Sequence, residues 1–166
     1  MKTLYLLRHA KSSWDNPELK DFERPLSKRG LKDAPVMGER FQARGDELNC
    51  IVSSPAVRAK STAKLFADAI AYPHDEIASN PELYFAGSGM FLKAASLLDD
   101  DCAEAMLVGH NPAITDFANL LANAGIENIP TCGLVKMTLD IDDWSDIEPG
   151  SATLVEFDYP KKQTSE

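Results

Sequence analysis

Arg8 and His9 stand together where the apolar run LYLL ends, and Gly109 and His110 close a second such run, AMLVGH. Between them in the chain, Arg58 lies in SSPAVRAKST, where Ser54 and Pro55 suit the start of a helix. An Arg-His pair alone is equally well explained by an arginine salt-bridged at a sheet edge. Two arginines and two histidines brought to one crevice are harder to explain as packing, because unpaired buried charges are costly. A bound dianion would neutralise them, and the free N–H groups of a helix start near Arg58 favour the same sign of charge. Imidazole, with a reference pKa of about 6.5, also presents a lone pair at neutral pH when its other nitrogen donates to a carbonyl.

Those residues meet only if the elements carrying them share one sheet edge. TLYLLR (3–8) is an apolar, strand-forming run of the kind covered on both faces. A polar loop, AKSSWDNPELKDFERP, follows; Ser27 then caps a helix running to about Arg44 and closed by Gly45, with Pro35 inside it. LNCIVSS (48–54) is a second strand and AVRAKSTAKLFADAI a second helix. EIASN supplies a short third strand, NPELYFAGSG a loop, and MFLKAASLL a third helix that ends at the solvated turn Asp99–Asp100–Asp101. EAMLVGH (104–110) is another buried strand, before a helix in NPAITDFANLLANAG. GLVKMTLDI and SATLVEFDY form an antiparallel or edge pair, and the tail KKQTSE frays. Strands alternating with helices give an α/β class: a three-layer α/β/α sandwich around a mostly parallel sheet. In such sheets the site lies beyond the carboxyl ends of the strands, where Arg8, His9, the segment 53–58 and 109–111 all fall. Phe41, Phe66, Leu97, Leu98, Phe117 and Leu121 are expected in the core, and Trp144 in a structural role.

The 166 residues, 44% hydrophobic and 26% charged, fit a single domain spanning 1–166 with a substantial core. A net charge of −9 repels nucleic acid and anionic membranes, so neither is expected as a partner. No apolar run approaches bilayer length and no signal-peptide core follows Met1 and Lys2, so a cytoplasmic location is expected. Cys50, Cys102 and Cys132 offer neither a disulfide framework nor zinc-like spacing, and are read as small buried hydrophobes in a reducing compartment. His74 lies in a surface loop; with three histidines in all and no carboxylate cluster, no metal and no cofactor is expected.

"LRHAKSSW", "ERPLSKRG", "VSSPAVRAKST" and "LVGHNP", in that order and spacing, resemble the histidine phosphatase superfamily, with its phosphoglycerate mutase-like fold. With the compact length, they resemble in particular its phosphohistidine phosphatases of the SixA type. The resemblance covers the chain from Leu4 to at least Pro112; Ala10 stands where many members have glycine. It implies that His9 is the nucleophile and forms a phosphohistidine intermediate that water hydrolyses. Arg8, Arg58 and His110 would surround the transferring phosphoryl oxygens. It implies a further phosphate-pocket arginine at Arg24, with Ser12 and Asn111 as substrate contacts. Glu82, in NPELYFAG, is the positional match for a carboxylate general acid; the alternative is a loop carboxylate that caps backbone.

A phosphorus–nitrogen bond needs less acid assistance than an ester, because the imidazole leaving group is only modestly basic. The short connections also leave little chain for a lid, so the site can accept a side chain projecting from another protein. The expectation is therefore a phosphohistidine phosphatase acting on a phosphotransfer protein or phosphocarrier and releasing inorganic phosphate. The alternatives are a phosphomonoesterase for a small metabolite and a module that binds phosphorylated groups without turnover. Trp14 and Phe22 either line the pocket rim or anchor their loop.

Overall fold

In the computed structural model, which describes residues 1–84 and 87–162, β1 (Lys2–Arg8) lies inside a six-stranded sheet. Along the chain follow α1 (Lys28–Ala43), β2 (Cys50–Ser53), α2 (Val57–Ala69), β3 (Ile77–Ser79) and α3 (Ser88–Ser96). Then come β4 (Glu104–Gly109), α4 (Ala113–Ala122), β5 (Leu134–Leu139) and β6 (Ala152–Asp158). The strand order is β3-β2-β4-β1-β5-β6. The first four in that order pair in parallel, while β5 runs antiparallel to both β1 and β6. The architecture is the expected α/β fold with a mixed sheet. Positions 85 and 86 of the loop NPELYFAGSG and 163–166 of the tail lie outside the described residues.

Alternation along β1 divides its side chains between two cores, since successive residues of a strand face opposite sides. Leu4 and Leu6 pack with Phe91 of α3 and with Phe117 and Leu121 of α4. Tyr5 and Leu7 pack with Met37 and Phe41 of α1 and with Phe66 of α2. Helices thus cover both faces, which is why the run is apolar throughout and not alternating. Loss of a fully buried ring such as Phe41 or Phe117 would cost about 3–5 kcal/mol.

Ser27 caps α1 as its sequence position implies: its Oγ accepts from the Gly30 N–H at 3.2 Å. Helix α1 runs on through Pro35, and Gly45 follows it with φ of 80°, in the left-handed region that favours glycine. Gly30 is needed for a different reason. A Cβ there would lie 2.2 Å from the Lys11 carbonyl oxygen, so the first turn of α1 sits directly against the backbone that follows the first strand.

Two expectations are corrected. Leu97 is 73% exposed, because α3 ends at Ser96 and leaves Leu97 as its C-terminal cap residue. Leu98 packs against the core edge. Cys50 and Cys102 form a disulfide, leaving Cys132 free and buried. Although 52 residues separate them, Cys50 opens β2 and Cys102 lies two residues before the neighbouring β4, where Cys50 pairs with Ala105. Trp144 is fully buried, and its indole N–H donates to the Cys102 carbonyl at 2.8 Å. Among the described residues, no helix is long and apolar enough to cross a membrane.

Candidate active site

Strands β1 and β4 end side by side, with Arg8 in register with Gly109, so the next residues, His9 and His110, emerge at adjacent points. Their rings lie 5.2 Å apart, centroid to centroid, and both residues are buried at 7% exposure. The chain is held there by main-chain bonds: His9 N–H donates to the Gly109 carbonyl, and Cys132 N–H donates to the His9 carbonyl, each at 3.0 Å. Ala10 N–H donates to Thr62 Oγ1 of α2 at 2.9 Å. Thr62 donates in turn to the Arg58 carbonyl, which ties the segment after β1 to the helix carrying Arg58.

His9 Nδ1 lies 2.6 Å from its neighbour's carbonyl, that of Ala10. A carbonyl can only accept, so Nδ1 carries the proton and Nε2 keeps its lone pair. Burial lowers the His9 pKa to about 3, and the charges of Arg58 and Arg8 push the same way, against the bond to Ala10. The ring is therefore neutral at any ordinary working pH.

His110 has the opposite arrangement. Its Nε2 lies 2.8 Å from Ser54 Oγ, which itself accepts from the Ala56 N–H. With Ser54 donating its hydroxyl proton to Nε2, the imidazole proton sits on Nδ1. That atom is buried without a hydrogen-bond partner, as is Arg8 Nε. Burial and then Arg58 lower the His110 pKa to about 4, so its donor is a neutral N–H. A Ser-Pro helix start was expected at Ser54; instead Ala56 is the N-cap residue, without a side-chain cap, and the Ser54 hydroxyl serves the histidine.

Three arginines border the same cavity of about 210 Å³: Arg8, Arg24 and Arg58. Arg8 donates through Nη1 to the Ile129 carbonyl at 2.9 Å. Arg24 is buried, and all its nitrogens are held: Nε by the Ser13 carbonyl, Nη2 by Ser12 Oγ and Nη1 by Asp21 Oδ1. Trp14 lies over its guanidinium, 3.1 Å from Cζ to the ring centroid, and is itself 74% exposed at the rim. Arg58 donates through Nη1 to the Asp21 carbonyl at 2.6 Å and through Nη2 to Asp21 Oδ2 at 2.9 Å.

The cavity thus brings together His9, His110, Arg8, Arg24, Arg58, Ser12 and Asn111, with Lys11, Trp14 and Thr131. Asn111 is turned toward the loop between α4 and β5, donating to Asn128 Oδ1 and the Ile129 carbonyl, and it accepts from Thr115 of α4. Glu82 does not line the cavity; it is an outlying carboxylate 3.4 Å from Lys93 Nζ. No carboxylate borders the cavity among the described residues. His74 is exposed, as expected of a surface loop. Asp21, Ser54, Thr62 and Tyr84 were not anticipated. Local signals existed for Asp21, three residues before Arg24, and for Thr62, four residues after Arg58, whereas Ser54 and Tyr84 meet partners distant in sequence.

Three comparisons bear on this arrangement. Residues 4–84 match the model of the histidine phosphatase superfamily, branch 1. An uncharacterized protein of Mycobacterium tuberculosis is 30% identical over 166 residues, covering 93% of this chain and 100% of its own. Among solved structures, the SixA protein of Agrobacterium tumefaciens is 27% identical with a TM-score of 0.80, covering 96% of this chain and 98% of that one. The protein histidine phosphatase SixA complexed with tungstate has the same fold, with a TM-score of 0.80 at 21% identity, covering 95% of this chain and 97% of that one.

Proposed function

Because this chain belongs to the histidine phosphatase superfamily, we propose that it hydrolyses phosphohistidine on a partner protein through a phosphoryl group carried by His9. The supporting observation is a His9 imidazole whose Nδ1 is held at the Ala10 carbonyl, which leaves the Nε2 lone pair free, beside two buried nitrogens that lack partners, Arg8 Nε and His110 Nδ1. His9 Nε2 attacks phosphorus in line as the bond from phosphorus to the substrate's imidazole breaks; that ring, protonated on its other nitrogen, leaves as neutral imidazole, and the phosphoryl group passes to Nε2. Arg8, Arg58, Arg24 and the His110 Nδ1–H hold the equatorial oxygens as charge redistributes. Water then attacks phosphorus and gives up a proton to the phosphate or to solvent, and His9 departs as neutral imidazole with its Nδ1 proton retained, leaving inorganic phosphate as product.

The leaving group is where the substrate class is decided. An alkoxide needs a proton from a nearby acid, and no carboxylate borders the cavity among the described residues. Glu82, the sequence candidate for that acid, instead faces Lys93. Imidazole departs with much less assistance, so the lining favours a phosphorus–nitrogen bond. Ser12 completes the substrate contacts in this reading; Asn111, also expected among them, lines the cavity with both amide hydrogens already donated and serves to hold its walls. The reaction in this reading uses no metal or other cofactor. The partner is a histidine-phosphorylated phosphotransfer protein or phosphocarrier.

The test is phosphate release, with a chelator present, from a phosphohistidine-bearing protein and from an aryl phosphate, comparing wild type with His9→Ala. The expected outcome is faster release from the phosphohistidine and a loss of at least about 10³-fold in the variant. Preference for the ester would move the substrate to a small metabolite. Retained phosphoprotein affinity without turnover by wild type would make the protein a binding module.

A further inference from the structure

We infer that Asp21, a residue outside the cavity, is a positioning residue for the phosphoryl pocket, holding Arg24 and Arg58 with their remaining N–H groups turned toward His9. This rests on the phosphatase reading of the site. One short segment supplies three acceptors to the two guanidinium groups. Asp21 Oδ1 takes Arg24 Nη1 at 3.1 Å, Oδ2 takes Arg58 Nη2 at 2.9 Å, and the Asp21 carbonyl takes Arg58 Nη1 at 2.6 Å. Tyr84 adds a third donor, its hydroxyl reaching Oδ2 at 2.6 Å.

The exposures indicate which group serves which. The Arg24 and Arg58 side chains are 8% and 9% exposed, whereas that of Asp21 is 52% exposed. Both arginines line the cavity and Asp21 does not, so its carboxylate holds them from the solvent side. As a stability device it would achieve little, because an ion pair with a half-exposed member is worth at most about 1 kcal/mol. Its leverage is on geometry. Arg8, Arg24 and Arg58 repel one another around one cavity, and each long side chain has about 2 kcal/mol of rotamer entropy to regain by swinging into water. A fixed anion opposes both tendencies. The Tyr84 hydroxyl, followed by Arg58 and Arg24, lowers the Asp21 pKa to about 2, so the anion persists across the working range.

Tyr84 makes the hold two-sided. Its ring packs edge-on against Phe22 at 5.0 Å and against His110 at 5.5 Å, so the strut spans the loop after β1, the segment after β3 and the histidine that follows β4. An arrangement of this kind acts most on the transition state, whose trigonal phosphorus needs donors at fixed angles, and least on ground-state binding.

Asp21→Asn and Tyr84→Phe are compared with wild type on an aryl phosphate, measuring kcat, KM, competitive inhibition by orthovanadate and by inorganic phosphate, and Tm. For Asp21→Asn, kcat falls about 10- to 100-fold with KM changed less than about threefold. Orthovanadate inhibition weakens in parallel with kcat/KM, and phosphate inhibition changes far less. Tyr84→Phe shifts the same quantities in the same direction by several-fold, and supplies the answer if Asp21→Asn does not fold. Wild-type kinetics in both variants overturn the inference. So does a lower kcat with unchanged vanadate affinity, because that pattern means fewer folded molecules and not a misaligned pocket. If wild type itself neither binds vanadate nor phosphorylates His9, the phosphatase reading fails and takes the inference with it.

Discussion

His9 and His110 follow two hydrogen-bonded strand ends, yet their protons lie on the same ring atom for opposite purposes. His9 Nδ1–H is spent on the Ala10 carbonyl, which leaves Nε2 as a lone pair. His110 Nε2 is spent on Ser54, which leaves Nδ1–H as a donor. The register of Arg8 with Gly109 brings the two residues out at adjacent points, where their ring centroids lie 5.2 Å apart. One ring supplies an electron pair and the other a proton-bearing face, as an in-line displacement at a phosphoryl group requires.

That division depends on Ser54. In Ser54→Ala, His110 Nε2 loses its partner, and the proton is free to move to it. One neutral hydrogen bond is worth about 1 kcal/mol, so kcat/KM on an aryl phosphate falls several-fold to about 10-fold. Steady-state kinetics with far-UV circular dichroism check this; unchanged kinetics would mean that Ser54 does not set the tautomer.

The rings also predict pH behaviour. The pKa of His9 is lowered to about 3 and that of His110 to about 4, both from 6.5. The acid limb of kcat/KM, which reports the free enzyme, therefore lies below pH 5 once substrate ionisation is allowed for. A limb near 6.5 would mean that the rings are far better solvated than their burial indicates. Stability moves the other way from a salt-bridged histidine. The unfolded chain takes up protons below pH 6.5 that the folded chain refuses, so stability is full above that pH and falls with acid. Each ring contributes a slope of up to about 1.4 kcal/mol per pH unit between its unfolded and folded pKa. Urea denaturation at pH 7.5, 6 and 5 measures it.

Arg24→Lys keeps the charge and loses the fork. A lysine ammonium cannot meet the Ser13 carbonyl, Ser12 Oγ and Asp21 Oδ1 in their present directions, nor lie flat beneath Trp14. The expected loss in kcat/KM is about 10- to 100-fold, and Trp14 fluorescence should change when the stacked cation is withdrawn. Full activity in the lysine variant would reduce Arg24 to a point charge.

Gly30→Ala tests the support beneath the site. The added methyl group would meet the Lys11 carbonyl oxygen at 2.2 Å, and backbone on both sides has to move. Overpacking of this kind costs about 1–3 kcal/mol, read as a lower Tm by about 2–4 °C for each kcal/mol. Activity should fall as well, because Ser12 and Ser13, which follow Lys11, hold Arg24.

Much of this was legible in the chain. TLYLLR and EAMLVGH announced buried strands by being apolar throughout, and Ser27 and Gly45 marked the limits of α1 through capping chemistry that is local in sequence. His9, His110, Arg8 and Arg58 could be read because each closes or follows such an element. Leu97 was misplaced because a helical period says nothing about the turn at which the helix stops. The Cys50–Cys102 bond and the contacts of Asp21 with Arg58 and Tyr84 join positions 52, 37 and 63 residues apart. Strand order decides whether such segments meet, and composition and spacing carry no trace of it. Glu82 shows the converse: a motif position fixed its place in the chain but not its side chain's neighbour, Lys93.

Strand β1 has a parallel neighbour on one edge and an antiparallel neighbour on the other, and covered cores on both faces. No local fraying can release its amides, so they exchange with solvent only when the whole molecule opens. His9 is bonded directly to that strand and so shares its fate. Heat, denaturant or a destabilising substitution far from the cavity removes the nucleophile only by unfolding the protein, and the inactivation curve should coincide with the unfolding curve. The exposed residues 15–18 of the loop beyond Trp14 are free to vary without that penalty. A scaffold of this form can therefore change what it admits without endangering the group that reacts.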